Sequence, residues 1–87
     1  MHTDNAKIIK RLKIIEGQTR GLQRMVESGA YCIDVITQAS AIKQAISNIE
    51  DVLLEGHLGH CVIEQIKKGK EKKAVDEILK VYRLKRK

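Results

Sequence analysis

Apolar residues recur at alternating steps of four and three in the first part of the chain, as they do along one face of an amphipathic helix. This stripe consists of Ile8, Leu12, Ile15, Thr19, Leu22 and Val26. Thr3, Asp4 and Asn5 are candidate caps for the start of the helix. Ser28 and Gly29 form a stop signal, so the pattern predicts that a first helix ends there.

The same rhythm continues beyond this turn, and no strong helix breaker interrupts it before the lysine-rich segment at residues 67–73. The residues that keep this rhythm are Cys32, Val35, Ala39, Ile42, Ile46, Ile49, Leu53, Gly56, His60 and Ile63. The pattern predicts one helix over about residues 30–66, which is roughly 55 Å long at ~1.5 Å per residue. Because a globule of 87 residues cannot wrap such a helix alone, we expect the helix to pair with a copy of itself.

A third helix is predicted in "KEKKAVDEILKVYRLK", with four residues on one face: Ala74, Ile78, Val81 and Tyr82. The chain contains no Phe, Trp or Pro and only two Tyr, a composition that favours helical bundles over sheets. We therefore predict an all-α fold of three helices in a single domain over residues 1–87. A chain this short buries a modest fraction of its surface, which also favours oligomerisation.

The net charge of +6, from 17 Lys and Arg against 11 Asp and Glu, permits binding to nucleic acid or to an anionic membrane. The N-terminal sequence "MHTDNAKIIK" lacks the apolar region of a signal peptide, and no apolar run approaches the ~20 residues of a membrane span. We therefore expect a cytoplasmic protein with no membrane partner. In that compartment the two cysteines are expected to be reduced thiols.

His57 and Cys61 are spaced i, i+4, so both side chains leave the same face of the second helix, one turn apart. An imidazole and a thiolate placed in this way can share one metal ion. Taken alone, this spacing is more often a matter of packing than of metal binding.

Cys32 lies 25 residues before His57, which is about 37 Å along a continuous helix. It therefore cannot reach His57 and Cys61 of its own chain. If two such helices pair antiparallel, Cys32 of one subunit faces His57 and Cys61 of the other, and two-fold symmetry creates two identical sites. Such a shared site requires an unbroken helix, and a break at Gly56 or Gly59 would allow other geometries.

Two thiolates and one imidazole form a soft, three-coordinate ligand set, which favours Cu(I). Zinc prefers a fourth ligand, for which His60 and His2 are the spare candidates. Nickel and cobalt require more nitrogen ligands than this set offers.

The segments "RLKIIEGQTRGLQRM", "YCIDVITQ" and "EGHLGHC" closely resemble the CsoR/RcnR family of metal-sensing transcriptional repressors, and the likeness runs from about residue 7 to residue 82. The order Cys, His, Cys is similar to that of the copper-sensing branch. The resemblance implies an antiparallel dimer that assembles into a disc-shaped homotetramer. It also implies that Cys32, His57 and Cys61 are Cu(I) ligands in a site that bridges subunits.

By the same resemblance, Tyr31 and Glu77 lie in the shell around the metal ligands, and Glu77 accepts a hydrogen bond from the imidazole of His57. Without the resemblance, Glu77 would be interpreted as a surface acid and Tyr31 as an ordinary aromatic at a helix start.

The family implies a repressor without a helix-turn-helix that holds double-stranded operator DNA in the metal-free form and releases it when Cu(I) binds. Arg11 matches a family arginine implicated in DNA contact, Arg20 lies in the "GQTRG" motif, and Lys43 is a lesser candidate. Asn48 stands where some relatives carry an arginine.

Several other functions stay open at this point. Related repressors sense formaldehyde, reactive sulfur, or nickel and cobalt. The absence of proline argues against the first, the presence of His57 against the second, and the position of His2 against the third. The chain could instead be a structural helical dimer with packed cysteines. Enzyme activity is not expected, because nothing beside the Cys–His pair resembles a substrate pocket.

Overall fold

Helices account for nearly all of the computed structural model, which describes residues 4–87. The elements are α1 (Asn5–Glu27), α2 (Cys32–Gly56), a π-helical turn (His57–Cys61), α3 (Val62–Lys67) and α4 (Glu71–Lys85). No strand occurs in this range, and the predicted all-α fold is confirmed. Because α2, the π turn and α3 follow one another without a non-helical residue, they form the second of three helical segments.

The N-terminus of α1 is capped by Asp4, one of the three predicted candidates. Its carboxylate Oδ1 accepts a hydrogen bond from the backbone N–H of Lys7 at 3.2 Å, which satisfies one of the amides left unpaired at a helix start. Asn5 is the first helical residue, and Thr3 lies outside the described residues.

Two glycines in the left-handed conformation end the first and second helical segments. Gly29 has a φ of 71° and Gly69 a φ of 73°. After each glycine, the next backbone N–H reaches back into the helix: Ala30 donates to the Met25 carbonyl at 2.9 Å, and Lys70 donates to the Gln65 carbonyl at 2.7 Å. Both turns are therefore Schellman motifs, which stop a helix and reverse the chain.

The described residues divide into two compact units, residues 4–53 and residues 54–87. In the first unit, α1 and α2 form a helical hairpin around four isoleucines: Ile8, Ile15, Ile42 and Ile49. Each helix thus contributes two buried residues one heptad apart, so only one row of each predicted stripe is buried. Leu12, Val26 and Ile46 belong to the stripes but are exposed in the single chain, because a contact between two helices covers only one side of each.

In the second unit, α3 packs against α4. Ala74 is the most buried apolar residue of α4, at 2% exposure, and Ile78 and Val81 are half-buried. Tyr82, the fourth residue that the pattern places on this face, is 58% exposed in the single chain and lies under the Arg86 guanidinium at 5.5 Å. At 3.6 residues per turn, Tyr82 falls at the edge of the face centred on Ala74 and is therefore not covered.

None of the helices within residues 4–87 is both long enough and apolar enough to cross a membrane. The prediction of one domain over residues 1–87 stays a prediction.

Candidate metal centre

The segment "HLGHC" forms a π-helical turn, in which the backbone N–H of Val62 donates to the carbonyl of His57. Gly56 keeps ordinary helical angles (φ −62°, ψ −40°), so neither it nor Gly59 breaks the helix. The helical backbone therefore runs without interruption from Cys32 to Lys67, as a site shared between subunits requires. The π turn itself was not predicted. Such turns insert one residue into a helix and are frequent at functional sites.

His57 lies against Glu77 of α4. Its Nε2 is 3.3 Å from Glu77 Oε2, and the two side chains are 26% and 38% exposed. A carboxylate only accepts hydrogen bonds, so this contact places an N–H on Nε2. Nδ1 is then the ring nitrogen that is left to bind a metal ion. The structure thus places together the two residues that the family resemblance paired.

Gln65 holds the other oxygen of the same carboxylate. Its Nε2 donates to Glu77 Oε1 at 3.1 Å, whereas its own Oε1 is buried without a hydrogen-bond partner. Gln65 was not among the residues predicted from the sequence. One signal was available, since Gln65 lies one helical turn beyond Cys61, on the row of His57 and Cys61. Its partner is 12 residues further along the chain, and no local pattern indicates such a pair.

Both cysteines are free thiols; Cys61 is half-buried in the π turn, and Cys32 is exposed at the first position of α2. Tyr31 precedes Cys32 and is 68% exposed, and its carbonyl accepts the backbone N–H of Asp34 at 3.0 Å. His60 is half-buried in the π turn.

Over residues 4–87, no three His, Cys, Asp or Glu side chains come together in one chain as a group that could hold a metal ion. His2, the other spare ligand candidate, lies outside the described residues.

The three predicted DNA-contacting residues are all exposed, and all lie in the unit of residues 4–53. Arg11 lines an open cavity of about 240 Å³ together with Gln18 of α1 and Asn48 of α2. Arg20 lies 4.0 Å from Glu16 in an exposed pair, which contributes little to stability. Lys43 projects from α2 outside this cavity.

Residues 4–83 match the family described as metal-sensitive transcriptional repressor. The copper-sensing transcriptional repressor CsoR of Bacillus subtilis (strain 168) is 47% identical over 77 residues, which are 88% of this chain and 76% of that protein. The copper-sensing transcriptional repressor RicR of Mycobacterium tuberculosis (strain ATCC 25618 / H37Rv) is 48% identical over 60 residues, which are 69% of this chain and 62% of that protein.

A solved structure is similar over nearly the whole chain. It is the crystal structure of the copper-sensing repressor CsoR with Cu(I) from Geobacillus thermodenitrificans NG80-2, with a TM-score of 0.87 and 44% identity. The match covers 94% of this chain and 85% of that one. The family consists of transcriptional repressors, not of enzymes. The sequence motifs and the fold thus agree, and the chain belongs to the metal-sensitive transcriptional repressor family.

Proposed function

We propose that this chain is a Cu(I)-responsive repressor that binds operator DNA in the metal-free form and releases it when Cu(I) binds. The similarity to the CsoR structure with Cu(I), at 44% identity over 94% of the chain, carries this proposal. The relatives that share the sequence motifs are also copper-sensing repressors. The cytoplasmic location expected from the sequence stays a prediction.

In this proposal, the Cu(I) ligands are Cys32 of one subunit and His57 and Cys61 of another. Three observations support the assignment. Both thiols are free, His57 and Cys61 occupy the two ends of the π turn, and the helix is unbroken from Cys32 onward. Two thiolates and one imidazole fit Cu(I), which accepts three soft ligands. Bound Cu(I) would supply a coordination bridge between subunits.

Glu77 and Gln65 orient the imidazole of His57 for Cu(I) binding. The contact between His57 Nε2 and Glu77 Oε2 at 3.3 Å would favour the tautomer with its hydrogen on Nε2 and leave Nδ1 for the metal, as outer carboxylates do at many histidine-ligated sites. Gln65 in turn holds the Glu77 carboxylate in place by donating a hydrogen bond from its Nε2 to Glu77 Oε1. Metal occupancy at His57 is therefore linked mechanically to α4. Tyr31, next to Cys32, is the corresponding outer residue at the other end of α2.

The subunits pair antiparallel along α2, and two such dimers form a tetramer. The single chain exposes apolar side chains of α2 that a second copy would cover: Ile33 at 53%, Ile36 at 61% and Ile46 at 46%. Large apolar side chains exposed together on one helix commonly mark an interface between proteins.

Arg11, Arg20 and Lys43 contact the phosphates of operator DNA from the hairpin of α1 and α2. All three are exposed, and they carry positive charge as phosphate binding requires. A coupling free energy of about 1–3 kcal/mol between the two ligands would weaken DNA binding by about 5- to 150-fold when Cu(I) is bound. By linkage, DNA weakens Cu(I) binding by the same factor.

The test is an anaerobic Cu(I) titration of the reduced protein bound to a fluorescent duplex from the promoter upstream of its own gene. We expect DNA release at about one Cu(I) per subunit for the wild-type chain and for the control Ser40→Ala, because two symmetric sites form per dimer. The Cys32→Ala variant should bind the duplex but not release it. If Cu(I) saturates the wild-type protein while the DNA stays bound, copper is not the inducer.

A further inference from the structure

The positive charge of the chain is concentrated at its C-terminal end. Residues 67–87 contain ten Lys and Arg against three Asp and Glu, a net charge of +7. Residues 1–66 contain seven Lys and Arg against eight Asp and Glu, a net charge of −1. The chain as a whole therefore owes its charge of +6 to α4 and the turn that precedes it.

Four of these cations lie along one side of α4, and Lys87 follows just after the end of the helix. Ala74, Ile78 and Val81 form the inward side, which is covered by packing within residues 54–87. The opposite side, which we call the α4 basic face, consists of Lys72, Lys73, Lys80, Arg83 and Lys87. All five are exposed, and Asp76 is the one acid among them. Within the described part of the chain, none of the five takes part in an ion pair.

The N-terminal half of this face borders a shallow depression of the surface. An open cavity of about 650 Å³ is lined by Lys70, Lys72, Lys73, Asp76, Glu77 and Lys80. Four ammonium groups thus surround one surface that holds two carboxylates. Both oxygens of Glu77 already contact neighbours, one of them Gln65 and the other His57. The surface is therefore suited to an anion.

The length of the basic face indicates a polymeric anion. From Lys72 to Arg83 the helix rises about 16 Å, which corresponds to ~5 phosphates along one strand of duplex DNA. A single small anion would use only one end of this row.

We infer that the α4 basic face is a second DNA-binding surface, which adds backbone phosphate contacts to those of Arg11, Arg20 and Lys43. The inference rests on the proposed function, since it assumes that the chain binds DNA. Phosphate contacts of this kind carry no base specificity, and they raise both the affinity and its dependence on salt. Because Glu77 lies on the same surface and contacts His57, the face is adjacent to the proposed metal ligand.

The experiment compares two double variants in which the same amount of charge is removed. Lys80→Gln with Arg83→Gln removes two cations of the face, whereas Lys67→Gln with Lys68→Gln removes two exposed lysines at the end of α3. Metal-free binding to the fluorescent promoter duplex is measured by anisotropy over a range of NaCl concentrations. Cu(I) stoichiometry and circular dichroism serve as checks that both variants fold.

We expect the Lys80→Gln, Arg83→Gln variant to bind about tenfold more weakly near physiological salt, with a salt slope reduced by about 0.9 for each phosphate that is no longer neutralised. The Lys67→Gln, Lys68→Gln variant should stay close to wild type. Equal weakening in both variants would assign the effect to net charge and overturn the inference, as would wild-type binding by both. Failure of the wild-type chain to bind the duplex would instead overturn the proposed function, and this inference with it.

Discussion

Two side chains surround the proposed ligand His57 at the scale of single residues. Glu77 stands between His57 and Gln65, with one carboxylate oxygen 3.3 Å from His57 Nε2 and the other 3.1 Å from Gln65 Nε2. This arrangement leaves Nδ1 of His57 as the nitrogen for a metal ion. In the proposed site, the imidazole would be oriented before Cu(I) binds, which would lower the cost of binding.

Replacing Glu77 by Gln should weaken Cu(I) binding by about 10- to 100-fold, because the amide no longer provides a charged acceptor for the imidazole N–H. Competition with a Cu(I) chelator under anaerobic conditions measures the affinity. Asp76→Asn is the matched control: it removes the same charge from the neighbouring, exposed position and should leave Cu(I) affinity unchanged.

Gln65→Met keeps the size of the side chain but removes the donor to Glu77, at a cost of about 0.5–1.5 kcal/mol. Its effect on Cu(I) affinity should therefore be smaller than that of Glu77→Gln.

Equal Cu(I) affinity in Glu77→Gln, Asp76→Asn and wild type would show that the contact with His57 has no part in metal binding.

At the scale of elements, helix ends were easier to predict from the sequence than helix faces. Asp4 and Gly29 mark the limits of α1 by local chemistry, a side-chain cap and a left-handed glycine. The stripes were predicted only in part, since Leu12 and Ile46 belong to them but are exposed in the single chain. Periodicity identifies apolar rows without telling which row packs within the chain and which is left for a partner.

The π turn was not predicted from the sequence, and the residues around His57 were predicted only in part. A π turn differs from an α-helix in the backbone hydrogen bond, which spans five residues instead of four. The residues of "HLGHC" are compatible with either pattern. The contact between His57 and Glu77 was expected only through the family resemblance. Gln65 was missed: its place on the row of His57 and Cys61 was visible in the sequence, but its pairing with Glu77 of α4 leaves no periodic signal.

Gly29→Ala should destabilise the chain by about 1 kcal/mol, because a left-handed φ of 71° strains a residue that has a Cβ. Urea unfolding followed by circular dichroism measures the change in the free energy of unfolding. Gly17→Ala is the control, since a Cβ at this position in α1 meets only the flexible end of Arg20 at 3.9 Å. That variant should be as stable as wild type or more stable. Destabilisation of Gly17→Ala as large as that of Gly29→Ala would contradict the role given to the Schellman motif.

At the scale of the whole molecule, one chain is too small to bury its apolar residues. Across residues 4–87, only five hydrophobic side chains are buried: Ile8, Ile15, Ile42, Ile49 and Ala74. Many larger ones stay exposed, Ile36 at 61% and Ile46 at 46% among them. The proposed oligomer would cover these side chains and would also bring Cys32 to His57 and Cys61.

The thermal midpoint of the wild-type protein should therefore rise with protein concentration, because folding is coupled to association. Ile46→Asp places a charge near the centre of the proposed seam and should lower the midpoint and the sedimentation mass together. A midpoint that does not depend on concentration, with a monomer mass in both proteins, would contradict the proposed assembly.

The most direct test of the central claim, a Cu(I) site shared between subunits, combines two inactive chains. Cys32→Ala and Cys61→Ala each keep only one thiolate per site, and neither should bind Cu(I) tightly alone. Refolded together in equal amounts, they should regain about one quarter of the wild-type sites, because half of the dimers are hybrids and each hybrid has one complete site out of two. If the mixture regains no sites in the anaerobic titration, the ligands do not come from two subunits, and the central claim is wrong.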